Sequence, residues 1–220
     1  MMARIGLLGG SFNPAHRGHR HISLEAMRVL DLDEVWWLVS PGNPLKAAEG
    51  MAPYEARFGS AQRMAKGTRI RASDFERREG TRFTIDTVRA LKRRYPHKKF
   101  IWLLGSDTLP DFHFWRDWRG LARELPIAVI RRPGYDRQAH AAHAMGWLRR
   151  FVRPSSQARQ WTEWSAPAIL FLRLPPDPTS ATAIRADDPS WHRRYCSRTL
   201  RYAGGPSPSF ARRPLDRTSP

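Results

Sequence analysis

Short, dense apolar runs alternate along this chain with longer segments in which apolar residues recur every three to four positions. The runs Ile5 to Leu8, Glu34 to Val39, Lys99 to Leu104, Pro126 to Ile130 and Ala168 to Leu172 read as buried strands, and Thr68 to Ala72 as a shorter one. Between them, Ile22, Ala26, Val29 and Leu30 make a helical stripe, as do Tyr54, Phe58 and Ala61 within Pro53 to Ala65. Ile85, Val88 and Leu91 do the same within Thr81 to Tyr95, where Thr84 is a candidate N-cap. Further on, the pattern predicts a polar turn over Asp74 to Gly80, a helix from about Asp136 to Phe151 and irregular packing over Arg153 to Ala166. A helix start within Thr179 to Arg185 and a terminal basic helix over Pro189 to Arg201 follow. Strand and helix signals alternate without an internal repeat, which predicts an α/β fold with a doubly wound, mostly parallel sheet. The loops after the strands ending near Leu8, Val39, Leu104 and Leu172 should then converge on one cleft at the carboxyl edge of the sheet.

The first of those loops carries the densest chemistry. Ile5 to His21 reads IGLLGGSFNPAHRGHRH: an apolar strand, two glycines, an Asn-Pro turn and two histidines three residues apart at the mouth of a helix. Gly9 and Gly10 lack a Cβ, so they suit a tight turn and close approach of backbone N–H groups to a ligand. His16 and His19 fall on one face of the first helical turn, where the helix dipole favours an anion. The string is neither a GxGxxG dinucleotide fingerprint nor a GxxxxGK[ST] phosphate loop.

Composition narrows the class. With 220 residues and 41% hydrophobic content, one sizeable α/β core is expected, with domain boundaries at 1–203 and a flexible basic Pro/Ser-rich tail over 204–220. The apolar runs are too short to span a bilayer, and Ile5 to Leu8 is not read as part of a secretory signal. One cysteine, Cys196, excludes an intrachain disulfide framework and a cysteine-based zinc site, and a reducing cytoplasm suits it. The formal charge of +18 attracts polyanions. Its arginines are nevertheless scattered, and no zinc finger or RNA-binding signature accompanies them, so retention of small phosphorylated substrates is expected rather than specific nucleic-acid binding.

Other loops add candidates. Lys46 follows the strand ending at Val39 and could reach a phosphate or simply face solvent. Gly105-Ser106-Asp107 stands at the end of a central strand, where open α/β sheets bind ligands. Among Phe112, Phe114, Trp115 and Trp118, most rings suit packing, while one could stack on a flat heterocycle. Ser180 and Thr182 can cap a helix or donate to phosphate, and Arg185 can bridge anionic oxygens.

GGSFNPAHRGH resembles the HxGH motif of the nucleotidyltransferase superfamily, which alone leaves pantetheine-phosphate, nicotinamide-mononucleotide and nicotinate-mononucleotide adenylyltransferases open. SPGNPLK, RFTIDTV, LLGSDTLPDFHFWRDW, IAVIRRPGY and TSATAIR, in that order, resemble successive segments of the bacterial nicotinate-nucleotide adenylyltransferases. The resemblance spans Ile5 to about Tyr202 and implies a Rossmann-like nucleotidyltransferase fold that joins ATP to nicotinate mononucleotide, forming nicotinate adenine dinucleotide and pyrophosphate. It implies that His16, His19, Lys46 and Arg185 handle the phosphates. Gly9, Gly10, Ser11, Phe12, Gly105, Asp107, Ser180 and Thr182 would complete the ATP site. Thr84, Asp107, Trp115 and Arg132 would receive the pyridine nucleotide, with Thr84 and its backbone at the nicotinate carboxylate and Trp115 stacked on the ring. Mg2+ would accompany ATP without a dedicated protein metal site, and the chain would act as a monomer or homodimer. The sequence departs from the family's ISSTxIR pattern at Thr179 and Ala181, which removes any hydroxyl contact at position 181.

Overall fold

A computed structural model describes residues 2–42, 50–132 and 134–195. Lys46, Cys196 and the tail from Gly204 lie outside the described residues, as does the end of the expected terminal helix.

The strands are β1 (Ala3–Gly10), β2 (Glu34–Val39), β3 (Ile70–Ser73), β4 (Lys98–Gly105), β5 (Ile127–Ile130) and β6 (Ile169–Leu172). All neighbouring pairs are parallel, in the order β3-β2-β1-β4-β5-β6. The sheet is therefore the expected doubly wound one, with its topological switch point between β1 and β4. Period-two alternation sends successive residues of these two strands to opposite layers. Ile5, Leu7, Trp102 and Leu104 pack beneath α4 (Thr84–Arg94) and α5 (Trp118–Glu124), through Val88, Leu91 and Leu121. Leu8, Ile101 and Leu103 face the other way, onto Ala26, Met27 and Leu30 of α1 (Arg17–Leu30) and Ala61 and Ala65 of α2 (Tyr54–Ala65). Each large apolar side chain buried in this way contributes about 1.5–3 kcal/mol.

Several local expectations change. The polar stretch after β3 is a short helix, α3 (Phe75–Glu79), held down by buried Phe75 and ended by Gly80 at φ 65. The expected helix over 136–151 is broken into α6 (Asp136–Ala141) and α7 (Met145–Leu148), followed by a 3-10 turn at Arg149–Phe151. Its buried residues Ala139, Ala142, Met145 and Leu148 recur every third position, tighter than the α-helical period of about 3.6, and an extended Ala142 (ψ 140) lets both pieces reach the core. The region read as irregular is a 3-10 helix, Ser155–Glu163, whose Trp161 is fully buried and donates its indole N–H to the Leu30 carbonyl at 2.9 Å. That bond satisfies a carbonyl at the end of α1 that has no partner within the helix. Near the end of the described chain, α8 (Ala181–Asp187) and a 3-10 turn, Trp191–Tyr195, stand where terminal helices were expected.

Candidate active site

Because every strand runs parallel, their carboxyl ends share one edge of the sheet, and the loop leaving β1 lies beside the switch point. The glycines predicted to turn it do something else. Gly9 and Gly10 are the last residues of β1, paired in register with Leu38 and Val39. A Cβ on Gly9 would come within 2.9 Å of the Trp102 ring, so the glycine is needed for close packing. The left-handed residue is Phe12, at φ 47, a conformation costing about 1–3 kcal/mol for a bulky side chain. Its buried ring is held in a stack on Trp37 (centroids 5.1 Å apart) and against His19 (4.9 Å).

His16 is the N-cap of α1, and its Nδ1 accepts from the Gly18 N–H at 3.1 Å. His19, three residues on, accepts the His16 N–H at its own Nδ1, at 3.2 Å. The two imidazoles thus act as a reciprocal capping pair, with ring centroids 3.9 Å apart. With both Nδ1 atoms accepting, each neutral ring carries its proton on Nε2, which leaves two N–H donors at a helix N-terminus. Burial pulls His16 down to about 4, helped by the Arg132 charge and opposed by Asp177. His19 is held well below the ordinary imidazole value by burial, then by His16 and Arg132. A Cβ at Gly18 would be tight, 3.0 Å from the His16 ring and 3.1 Å from the Thr179 carbonyl oxygen, so a larger residue would press on the capping histidine.

The distal motif closes over this loop. Ser180 caps α8 by accepting from the Ala183 N–H at 3.1 Å. Arg185 donates to the Asn13 carbonyl at 2.7 Å and to the Thr182 hydroxyl oxygen at 3.3 Å, joining segments 172 residues apart. Both hydroxyl oxygens are therefore acceptors within the fold, which leaves their protons to donate. Asn13 is held from the other side as well, its amide donating to the Gly50 carbonyl at 2.9 Å and accepting from the Ala52 N–H at 3.2 Å.

Across the switch point, Gly105 ends β4 and Asp107 pairs with Arg132 at 2.8 Å. Buried Ser106 accepts the Arg132 N–H at 2.8 Å, while its own N–H donates to Ile130, so the ends of β4 and β5 are tied together. Trp115 is half-buried, edge-on to Trp102 (6.1 Å) and tilted against Phe112 (5.3 Å). The Arg116 guanidinium lies 4.6 Å over the Phe83 ring, which brings the Trp115 segment against the start of α4. Thr84 is the first residue of α4 rather than its cap; Phe83 holds the N-cap position and no side chain caps the helix. Nearby, a cleft of about 440 Å³ is lined by residues including Pro41, Gly42, Glu76 and Arg82. Burial raises the Glu76 carboxyl to about 7, opposed by a hydrogen bond from the Thr87 hydroxyl.

One residue of the site was not foreseen. Arg57, in α2, is 2% exposed and donates to the carbonyls of Ala52 (3.0 Å), Ser11 (2.7 Å), Ser40 (2.7 Å) and Pro41 (3.2 Å). Burial lowers it from the usual arginine range. Its signal in the sequence is a charge on the apolar stripe, three residues after Tyr54 and four before Ala61.

Among the described residues, no group of three or more His, Cys, Asp or Glu is placed to hold a metal ion. No described helix is long and apolar enough to cross a membrane.

Known proteins match this arrangement over most of its length. The family model described as cytidylyltransferase-like matches residues 7–187. A probable nicotinate-nucleotide adenylyltransferase of Erythrobacter litoralis is 56% identical over 197 residues, covering 90% of each chain. Another, from Gluconobacter oxydans, is 50% identical over 182 residues, covering 83% of this chain and 93% of its own. Among solved structures, the nicotinic acid mononucleotide adenylyltransferase of Plasmodium falciparum complexed with NaAD superimposes with a TM-score of 0.62 at 17% identity. The match covers 84% of this chain and 83% of that one, and it speaks to the fold alone.

Proposed function

This chain belongs to the nicotinate-nucleotide adenylyltransferase family of cytidylyltransferase-like proteins, and we propose that its cleft transfers the adenylyl group of ATP to nicotinate mononucleotide. The observation that carries the reading is the pair of neutral imidazoles at the start of α1, each with Nδ1 committed to the backbone and Nε2–H free to donate.

In the reaction, a phosphate oxygen of the mononucleotide attacks the α-phosphorus of ATP. The bond from that phosphorus to the bridging oxygen breaks on the opposite side, and pyrophosphate leaves with the electron pair. The attacking phosphate is already ionised near neutral pH, so the chain needs no nucleophile or general base of its own. Its work is alignment and stabilisation of charge. His16 and His19 donate to phosphate oxygens as charge moves toward pyrophosphate, and a bound polyanion favours the imidazolium form of either ring. Arg185 and the hydroxyls of Ser180 and Thr182 close the same end, with the backbone of Gly9, Gly10, Ser11 and Phe12 as the floor. Lys46 is proposed as a further phosphate ligand. On the other wall, Gly105 and Asp107 face the nucleotide, Arg132 the substrate phosphate, and Trp115 the pyridine ring. The uncapped start of α4 at Thr84 offers backbone donors to the nicotinate carboxylate.

Mg2+ fits this site as the partner of ATP, with phosphate oxygens and water as its main ligands. Asp107, a carboxylate just past the end of β4, already pairs with Arg132. Bound there, the ion would neutralise triphosphate charge. A cytoplasmic setting agrees with the single cysteine.

Pyrophosphate release from ATP tests the reading, with nicotinate mononucleotide, nicotinamide mononucleotide and phosphopantetheine offered in parallel. Nicotinate mononucleotide should turn over fastest. Equal rates with the nicotinamide form would make the enzyme dual-specific, and no release with any of the three would sink the assignment.

A further inference from the structure

Arg57 poses a physical question that the reaction above leaves unanswered. A guanidinium that is 2% exposed has been stripped of water, and among the described residues no carboxylate forms an ion pair with it. Burying a charge to join carbonyl groups is a poor route to stability, because a well-packed apolar side chain of similar volume usually does as well or better. What the guanidinium provides instead is a rigid planar fork, and here the fork reaches three separate stretches of chain. It holds Ser11, in the loop between β1 and the histidines; Ser40 and Pro41, at the exit of β2; and Ala52, ahead of α2. A second link runs alongside. The Arg57 carbonyl accepts from the buried Ser60 hydroxyl at 2.7 Å, and that hydroxyl oxygen accepts the Ala15 N–H at 3.0 Å, one residue before His16. The histidine loop is thus gripped by one face of α2 at both ends, at Ser11 and at Ala15. Because a trans peptide sets its C=O and N–H in opposite directions, holding the Ser11 carbonyl also aims the Phe12 N–H away from α2, and the charge-assisted bond polarises that peptide.

We propose that Arg57 is a positioning residue for adenylyl transfer: it locks the loop bearing His16 and His19 to the exit of β2, so that the two reacting phosphates meet in line. The inference rests on the adenylyltransferase reading. Lysine cannot substitute, since its ammonium is a single point with three donors and cannot span three backbone segments.

The test compares Arg57→Lys with the unmodified chain in steady-state pyrophosphate release, alongside thermal unfolding. A misplacement of the loop by about 1 Å costs on the order of 100-fold in turnover, so kcat of R57K should fall by about that factor while KM for ATP stays within about threefold. Ser60→Ala, which removes the hydroxyl joining the Arg57 carbonyl to the Ala15 N–H, should lower kcat by about tenfold together with a fall in unfolding temperature from the stranded buried donor, and it carries the test if R57K fails to fold. A lower unfolding temperature with normal kcat in whichever of the two variants folds would make the clasp structural only and overturn the inference. An active unmodified chain beside an equally active variant overturns the role of Arg57 alone. An unmodified chain that releases no pyrophosphate overturns the activity and this inference together.

Discussion

The two walls of the cleft differ in how many of their polar groups are already committed. On the wall built from the β1–α1 loop, Nδ1 of each histidine, both polar atoms of the Asn13 amide, and Arg57 and Arg185 are all engaged with the protein itself. Opposite, Asp107 and Arg132 meet as a pair whose side chains are 29% and 45% exposed, Phe114 is 64% exposed, and α4 begins without a cap. Under the proposed assignment of substrates, the difference follows the chemistry each wall would face. A triphosphate presents the same charge in every turnover, so donors fixed in advance cost no reorganisation as the bond breaks. A pyridine nucleotide has to be recognised, and a looser wall can close on it.

The sharpest way to break this comparison is His16→Asn. Asparagine places its Oδ1 near the position of Nδ1, so the cap to Gly18 survives while the Nε2–H is lost. Removing one such donor should lower kcat by about 100- to 1,000-fold, with the unfolding temperature nearly unchanged. If H16N unfolds easily and its folded fraction turns over normally, the histidine is a cap and nothing more. On the other wall, Trp115→Ala should raise KM for nicotinate mononucleotide by about tenfold, from the loss of about 1.4 kcal/mol of stacking, and leave kcat within about threefold. Trp115→Phe should recover most of the binding. A change in unfolding temperature alone, without a change in KM, would return Trp115 to the core of the protein.

A smaller effect separates the walls by pH. His16 titrates near 4 in the folded chain, below its ordinary value of 6.5. The unfolded chain therefore takes up that proton first as the pH falls. The stability held by the neutral ring is complete above about 6.5 and is lost progressively as pH drops to about 4. Unfolding temperature measured from pH 7.5 to 4 should show this decline, and H16N should flatten part of it. Identical profiles for the two proteins would mean that burial does not hold this imidazole neutral.

How much of this could be read from the chain alone depends on how local each cause is. The strands, the helix opening at His16 and the pairing of Ser180 with a helix start are decided within a few residues, and period, cap and turn chemistry carry them. The turn at Phe12 was not legible, because glycine is the usual left-handed residue and the rings that pack on it, Trp37 and His19, are distant in sequence or round a helical turn. Trp161 read as irregular because its partner is the Leu30 carbonyl, 131 residues away. Arg57 read as one more arginine in a basic chain, since its four carbonyl partners come together only when the loops do. The broken helix near Ala142 was hidden for the opposite reason: an Ala-rich stretch favours helix locally, and the core overrode it.

The mildest perturbation is Asp107→Asn, and it tests whether the open wall is as loosely committed as its exposure implies. An ion pair this exposed is worth about 0–1 kcal/mol, so D107N should change the unfolding temperature little. Arg132 would lose its carboxylate partner but keep its backbone bond to buried Ser106, so the loop stays where it is and only the guanidinium gains freedom. Burial is the main force holding both histidines below their ordinary values, and the Arg132 charge that assists it would remain in the cleft. KM for the nucleotide substrates should therefore rise by only a few fold, and kcat should fall far less than in H16N. Steady-state kinetics for both substrates decide the matter: a loss of kcat in D107N as large as that in H16N would mean that the Asp107–Arg132 wall is preorganised too, and the contrast between the two walls would fail.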